Sequence, residues 1–437
     1  MSGIPDHWKW FNEARFGLFV HWGPYAAYGR GEQVLFRERL DQRDYEARAC
    51  RWNPQKFDAT AWADVAKQAG MKYAVLTTRH HDGFCLWDSK FTDYTSAAQA
   101  PRRDFVREYV EAFRAAGLRV GLYYSMIDWR VPAAFEGPEH DPRGWAAFRE
   151  YVHHQVRELL THYGRIDVMW FDGAWPETSR QWGSHELVQT MRSLQPHLLI
   201  NNRLGRDEDD PAGTGGQSRS LGDFSTPEHR IVEDPHRLWE SCDVSTSRLW
   251  GYAKGERWRP ADVLLDKLVE CASKGGNLLL NVGPTGDGEF PSEFVAITDA
   301  IGKWMRLHGE CISGSERGEV CEFITHGRQI RKGSNLYLVV RFWDGTGALT
   351  LAGLETTVTR AVLLTTGSEL RFKQTTDHLA IEGLPEKSPT DLFPVIRLEC
   401  DGPPKARPWA VDRLWKGDPR RMTAWAAQRG KTVWVGR

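Results

Sequence analysis

Residues 166–173, IDVMWFDG, bring one carboxylate, Asp172, up behind Trp170 and Phe171, and Gly173 ends the run. In a parallel α/β barrel, side chains at the carboxyl ends of strands face the pocket where chemistry is done. A carboxylate held there between aromatic rings has the makings of a glycosidase nucleophile. The same aspartate could instead cap a following helix, so its neighbours must decide. Four other apolar runs also finish in polar groups: His21-Trp22, His80-His81-Asp82, Tyr124 and Asn202-Arg203. Buried donors and acceptors need partners, and strand ends of this kind suit a pocket that grips hydroxyl groups. The His80-His81 pair invites a metal. Adjacent strand residues point to opposite faces, however, and no H-x-H or HExxH motif assists them, so no metal is expected.

These groups need a scaffold. Apolar runs at 16–22, 73–78, 120–125, 168–172, 198–202 and 278–282 read as buried parallel strands. Two further strands are expected, one near 238–241 and one elsewhere in 220–250. Amphipathic segments at 59–68, 102–116, 145–162, 185–193, 260–273 and 291–307 alternate with the strands, and several end at glycines such as Gly70, Gly117 and Gly164. The expectation is an α/β fold with a (β/α)8-like TIM barrel over 1–315. Segments at 336–342, 361–364, 370–372, 379–381 and 395–398 alternate like antiparallel strands, predicting a β-sandwich domain over 316–400. Residues 401–437 form a tail of unassigned role. Residues 206–220 are acidic, then Gly/Ser-rich, and read as an exposed mobile loop. Its GTGG is no nucleotide fingerprint, because no strand feeds it and no helix follows.

At 437 residues the chain suits a barrel plus a smaller domain. Lys and Arg number 57 against 58 Asp and Glu, which argues against a nucleic-acid partner. Seven cysteines without a CxxC pair read as reduced thiols. No basic-then-apolar leader, glycosylation sequon or eighteen-residue apolar run occurs, so a cytoplasmic protein without membrane association is expected. Twenty tryptophans hint at sugar stacking, although most tryptophans serve packing.

The blocks FGLFVHWG (16–23), TTRHHDGFCLW (77–87), GLYYS (121–125), MWFDG (169–173) and KGGNLLLNVGPTGDG (274–288) resemble the α-L-fucosidases of glycoside hydrolase family 29. The resemblance runs from residue 5 to about 310. It implies a barrel followed by a β-sandwich, retention of anomeric configuration, no metal or other cofactor, and a fucosylated oligosaccharide or glycoconjugate as substrate. Asp172 matches the family nucleophile. His21, His80, His81, Tyr124, Trp170 and Arg203 match positions that hold fucose, and Trp250 matches an aromatic near its methyl group. Glu32 stands where the family has a sugar-binding glutamate, but the tryptophan usual beside it is Gln33 here.

A retaining enzyme needs a second carboxyl about 5–5.5 Å from the first, protonated at the start through burial or its carboxylate neighbour. Glu228, in GDFSTPEH, ranks first, then Glu240, then Glu233. Asp82 is expected to orient a histidine or satisfy turn amides, and Asn277 and Asn281 to tie down loops. The expectation is therefore a retaining exo-α-L-fucosidase. The alternatives are a catalytically inactive fucose-binding protein and a retaining glycosidase for a similar sugar such as α-L-galactose.

Overall fold

The computed structural model describes residues 4–208, 217–318, 320, 326–376 and 378–407. Contacts divide the chain into two compact units. The first comprises 1–264 and 276–303, the second 265–275 and the described residues from 304 onward.

The first unit holds eight parallel strands: β1 Phe16–Val20, β2 Tyr73–Arg79, β3 Arg119–Ser125, β4 Val168–Asp172, β5 Leu199–Ile200, β6 Phe224–Ser225, β7 Leu238–Val244 and β8 Asn277–Val282. Their order, β5-β4-β3-β2-β1-β8-β7-β6, is that of a barrel opened at one seam. A single parallel bridge between Asn201 and Phe224 crosses that seam. Both conjectured strands exist, as β6 and β7. The connecting helices fall close to their predicted spans, including Ala59–Gln68, Phe105–Ala115, Pro142–His162 and Ser184–Leu194.

Alternation along each strand sends every second side chain inward. Phe19, Tyr73, Val75, Tyr123, Val168, Trp170, Leu199, Phe224, Leu238, Cys242 and Leu279 form one buried cluster. Gly17 makes room in it, since a Cβ there would lie 2.4 Å from Cζ of Tyr73. The row Tyr123–Trp170 is paired in register, and one step further along Ser125 pairs with Asp172. Asp172 therefore leaves the barrel on the same face as Trp170, two residues above it.

The second unit carries two antiparallel sheets. With β9 Gly327–Lys332, β10 Asn335–Val340, β11 Ala348–Ala352, β12 Val358–Leu363, β13 Ser368–Glu369, β14 Arg371–Gln374, β15 His378–Glu382 and β16 Val395–Cys400, the orders are β13-β12-β16-β10-β9 and β11-β15-β14. Their shared core includes Leu336, Leu338, Leu351, Leu379, Ile381, Ile396 and Leu398. The strands β9, β11 and the two-residue β13 lie beyond the expected set. Each sits at a sheet edge, paired with one neighbouring strand only, where polar residues are tolerated.

The six described cysteines are free thiols. Among the described residues no helix is long and apolar enough to cross a membrane. Residues 209–216 of the expected loop, and 408–437 of the tail, lie outside the described set. The loop's two flanks are tied together by Asp207, which accepts hydrogen bonds from Ser218 Oγ and Ser220 Oγ, both at 2.7 Å.

The barrel seam depends on Asp223. Its side chain accepts from the Ile200 amide (2.8 Å) and pairs with Arg192, while its own amide donates to the Ile200 carbonyl (2.7 Å). Asp223→Ala should lower the barrel's unfolding free energy in urea by about 2–3 kcal/mol, because a buried amide and a guanidinium lose their acceptor. Asp299→Ala, which removes an exposed pair with Lys303, should change it by less than about 0.5 kcal/mol. Equal losses would mean that the seam is not where stability is concentrated.

Candidate active site

The carboxyl ends of the barrel strands open into a cavity of about 260 Å³. Its lining is Phe19, His21, Glu32, Gln33, His80, His81, Tyr123, Trp170, Asp172, Trp175, Arg203, Glu228 and Trp250. Nine of the ten residues singled out from the sequence meet here. A wider hollow of about 710 Å³ adjoins it and shares Glu32, Gln33, Glu228 and Trp250.

Arg203 is the hub. Its Nη1 donates to Asp172 Oδ1 at 3.2 Å and its Nη2 to Glu228 Oε2 at 2.9 Å. Thr226 fixes the guanidinium through Oγ1 (2.9 Å to Nε) and its carbonyl (3.1 Å to Nη2), and the group lies 4.8 Å from the Trp170 ring. Burial works against its charge, but Asp172 and Glu228 more than offset that and hold it protonated. Arg203 thus carries the two carboxylates rather than serving only as a ligand for hydroxyls. Asp172 also accepts from Tyr123 Oη at 3.1 Å and lies 3.7 Å from His81 Nε2.

Glu228 owes its position to a short parallel bridge with Cys242 on β7. The Cys242 amide donates to the Pro227 carbonyl (3.1 Å), and the His229 amide to the Cys242 carbonyl (3.0 Å).

The three histidines are buried and neutral. Burial pushes His21 down to about 3, despite its contact with Asn281, and lowers His80 and His81 as well. His21 Nδ1 lies 2.7 Å from Asn281 Oδ1, and Asn281 Nδ2 donates to the Trp250 carbonyl (2.7 Å). Oδ1 is therefore the acceptor, Nδ1 of His21 bears the proton, and Nε2 is left to accept. His81 follows the same logic. Ser125 Oγ donates to the Ile127 carbonyl (2.7 Å), so it accepts from His81 Nδ1 (2.7 Å) and leaves Nε2 as an acceptor. His80 Nδ1 is buried with no hydrogen-bond partner among the described residues.

Two expectations need correction. Tyr124 does not line the cavity. It points outward from β3, where its hydroxyl donates to Gln155 Oε1 (2.8 Å) and its ring lies 4.4 Å from the Arg79 guanidinium. Tyr123, one residue earlier, faces inward. Second, His80 and His81 do not diverge, since their ring centroids are 4.2 Å apart. The strand β2 ends at Arg79 after a register shift, so period-two alternation no longer governs them. Of the two roles expected of Asp82, the structure shows the second: it reaches no histidine, but accepts from the Phe84 turn amide (3.4 Å) and also from Tyr45 Oη (2.7 Å). Asn281 ties a loop as expected, through the Trp250 carbonyl, and in addition sets the tautomer of His21.

Of the other acid candidates, Glu233 is exposed and outside the cavity lining. Glu240 is fully buried below it, accepting from Tyr73 Oη and from Trp170 Nε1 (3.0 Å). Glu32 spends one oxygen on the Gly251 amide (2.7 Å), which joins its loop to the segment carrying Trp250. Trp250 itself stands between the rings of His21 (5.1 Å) and His229 (5.0 Å). The residues missed from the sequence are Phe19, Tyr123, Trp175 and the supports Ser125 and Thr226. Alternation counted back from Asp172 identifies Tyr123, through its register with Trp170, whereas no sequence signal marks Trp175.

Residues 5–310 match the family model described as alpha-L-fucosidase. The chain is 29% identical to the tissue alpha-L-fucosidase of Bos taurus, over 83% of this chain and 81% of that protein. It is 31% identical to the plasma alpha-L-fucosidase of Rattus norvegicus, over 69% and 70%. Among solved structures it resembles alpha-L-fucosidase isoenzyme 1 from Paenibacillus thiaminolyticus, with 39% identity, a TM-score of 0.82 and coverage of 91% and 99%. It also resembles a GH29 alpha-L-fucosidase from Bacteroides thetaiotaomicron, described as a trapped covalent intermediate, with 31% identity, a TM-score of 0.83 and coverage of 91% and 97%.

Burial raises the Glu240 carboxyl to about 7, although Tyr73, Trp170 and Arg203 each favour its ionised form. In the unfolded chain it would titrate near 4.3. The native state therefore holds a proton that the unfolded state releases, and this contribution to stability fades as pH rises from about 4.3 through about 7. Glu240→Gln has nothing to ionise there. Its melting temperature should climb relative to the wild type between pH 4.5 and 8, then run parallel above that. A constant offset across the range would show that Glu240 ionisation is not linked to folding.

Proposed function

The chain belongs to the α-L-fucosidase family of glycoside hydrolases, and from that premise we propose that it is a retaining exo-α-L-fucosidase acting by double displacement. The pairing of Asp172 and Glu228 on neighbouring nitrogens of Arg203 carries this reading. Two carboxylates sharing one guanidinium suit the close spacing of a retaining pair better than the roughly 6.5–9.5 Å that leaves room for water in an inverting one. The trapped covalent intermediate of the Bacteroides relative supports the same mechanism.

The cavity of about 260 Å³ is smaller than the roughly 300–1,000 Å³ of most ligand clefts. It suits one terminal sugar ring, with the adjoining hollow taking the leaving saccharide. Nε2 of His21 and His81 would accept from sugar hydroxyls, and the His80 ring lines the same cavity. Phe19 and Trp250 offer apolar surface for the C5 methyl. Asp172 attacks C1 while Glu228 protonates the departing oxygen, so the C1–O bond breaks and a β-linked fucosyl-enzyme forms. Water, giving its proton to Glu228, then displaces Asp172 and releases α-configured fucose.

Release of fucose from an aryl α-L-fucoside and from a fucosylated oligosaccharide tests the reading. Asp172→Ala should lose about 10³-fold or more on both while its circular dichroism stays unchanged. Glu228→Ala should lose most on the oligosaccharide, and azide should restore turnover of the aryl substrate as the α-configured fucosyl azide. A folded Asp172→Ala protein with near-wild-type activity would overturn the nucleophile. The same azide pattern in Glu240→Ala, but not in Glu228→Ala, would overturn the acid/base.

A further inference from the structure

Two loops of the barrel unit, over 29–38 and 247–256, wall the wider hollow beside the sugar cavity. Backbone contacts join them: the Gly31 amide to the Tyr252 carbonyl (2.9 Å), the Lys254 amide to the Gly29 carbonyl (2.9 Å) and a bridge between Arg30 and Ala253. Arg30, Arg37 and Arg248 line the hollow, and all are exposed. Arg30 is paired with Glu38 (2.7 Å). Arg37 uses its Nε, which donates to Gln33 Oε1 at 2.9 Å, and leaves its two Nη groups open. The Arg248 side chain has no hydrogen bond or ion pair among the described residues; only its backbone amide is engaged. Because Oε1 of Gln33 is the acceptor, its Nε2 keeps two hydrogens to donate, and Gln33 borders both the sugar cavity and the hollow.

The other ionisable groups of the hollow are already committed. Glu228 lies on Arg203 (2.9 Å), and His229 faces Asp243 (3.0 Å). Glu32 accepts from the Gly251 amide (2.7 Å), and burial raises its carboxyl above the ordinary value. Glu256 turns inward. Its Oε1 accepts from the amides of Arg248 (2.7 Å) and Leu249 (3.1 Å) and from Ser247 Oγ (3.1 Å), and its Oε2 is buried. Its charge offsets one of the cations, but Lys254 and Arg257, both exposed and without an ion pair among the described residues, extend the positive surface along the second loop. The groups left open are therefore donors: the Arg248 guanidinium, the Arg37 Nη groups and Gln33 Nε2. A guanidinium binds the oxygens of an anion as a charged fork, and roughly twice as strongly as a neutral donor binds a neutral acceptor. We propose that the hollow selects a leaving saccharide that carries an anionic group, a carboxylate or a sulfate ester, held by Arg248 and Arg37. This rests on the fucosidase reading, with the leaving saccharide in the hollow.

Three α-L-fucosyl disaccharides test the proposal, in a linkage that the wild type cleaves. They are alike except at C6 of the leaving hexose, which is a hydroxymethyl group, a carboxylate or a sulfate ester. We expect kcat/KM for an anionic disaccharide to exceed that for the neutral one by about fivefold, mainly through KM. Whichever of the two anions shows the gain identifies the group. The ratio should shrink toward one as sodium chloride approaches about 1 M, where charges are screened within about 3 Å. Arg248→Lys should keep part of the preference, and the double variant Arg37→Gln with Arg248→Gln should lose it. Both side chains are exposed, so these proteins should fold as the wild type does. No anionic preference in the wild type, a preference unmoved by salt, or one retained by the double variant would overturn the inference. An aryl α-L-fucoside separates the two failures. If the wild type hydrolyses it but shows no anionic preference, only the inference falls; if it hydrolyses no fucoside at all, the fucosidase reading falls first.

Discussion

A carboxyl pair in one small cavity needs a shared proton or a counter-charge, and Arg203 places a fixed positive charge on both Asp172 and Glu228. At an effective dielectric of 20, two like charges about 4 Å apart repel by roughly 4 kcal/mol, and a cation between them reverses the sign of the interaction. The geometry is as important as the charge. A guanidinium is a rigid planar fork, and here Thr226 and the Trp170 face hold that fork in place. Fixing one group therefore fixes the relative position of Asp172 and Glu228, although β4 and the segment after β6 bring them from different parts of the chain. Most other features of the site make sense as protection of this trio.

The histidines are an example. Were His21 or His81 cationic, each would compete with Arg203 for Asp172 and draw that carboxylate out of line. Burial keeps all three neutral, so they offer hydrogen bonds without adding charge. Asn281 and Ser125 then decide which ring nitrogen accepts. Neutral hydrogen-bonding rings and the charged trio of Asp172, Arg203 and Glu228 are thereby chemically separate groups within one cavity.

Much of this was legible because a barrel writes itself in periods. Helix and strand spans followed from apolar runs and glycine stops, and Asp172 announced itself at a strand end. The errors came where periodicity breaks. Tyr123 and Tyr124 are identical in type, and only their register against Trp170 and Phe171 separates the inward one. His80 and His81 share a face because β2 stops at Arg79. Glu240 carries the right functional group on the right strand. It sits a layer too deep, however, bonded to Tyr73 and Trp170. Depth along a strand is not visible in a hydropathy pattern. Trp175 and Thr226 lie on connections, where position depends on contacts with residues far away in sequence.

The least regular part of the barrel carries two members of the central trio. The strands β5 and β6 are two residues each, joined across the seam by one bridge, and a long loop separates them. Arg203 follows the first and Glu228 the second. A full ladder would hold such residues rigidly but would leave no backbone to bend toward the cavity. Other contacts substitute for the missing ladder: the Asp223 side chain clamps Ile200, that of Asp207 ties the loop flanks, and the backbone bridge between Glu228 and Cys242 anchors Glu228 beside β7. Glu228 therefore sits at the border of the small cavity and the wider hollow and lines both. The short strands that make the seam weak also give Glu228 its reach.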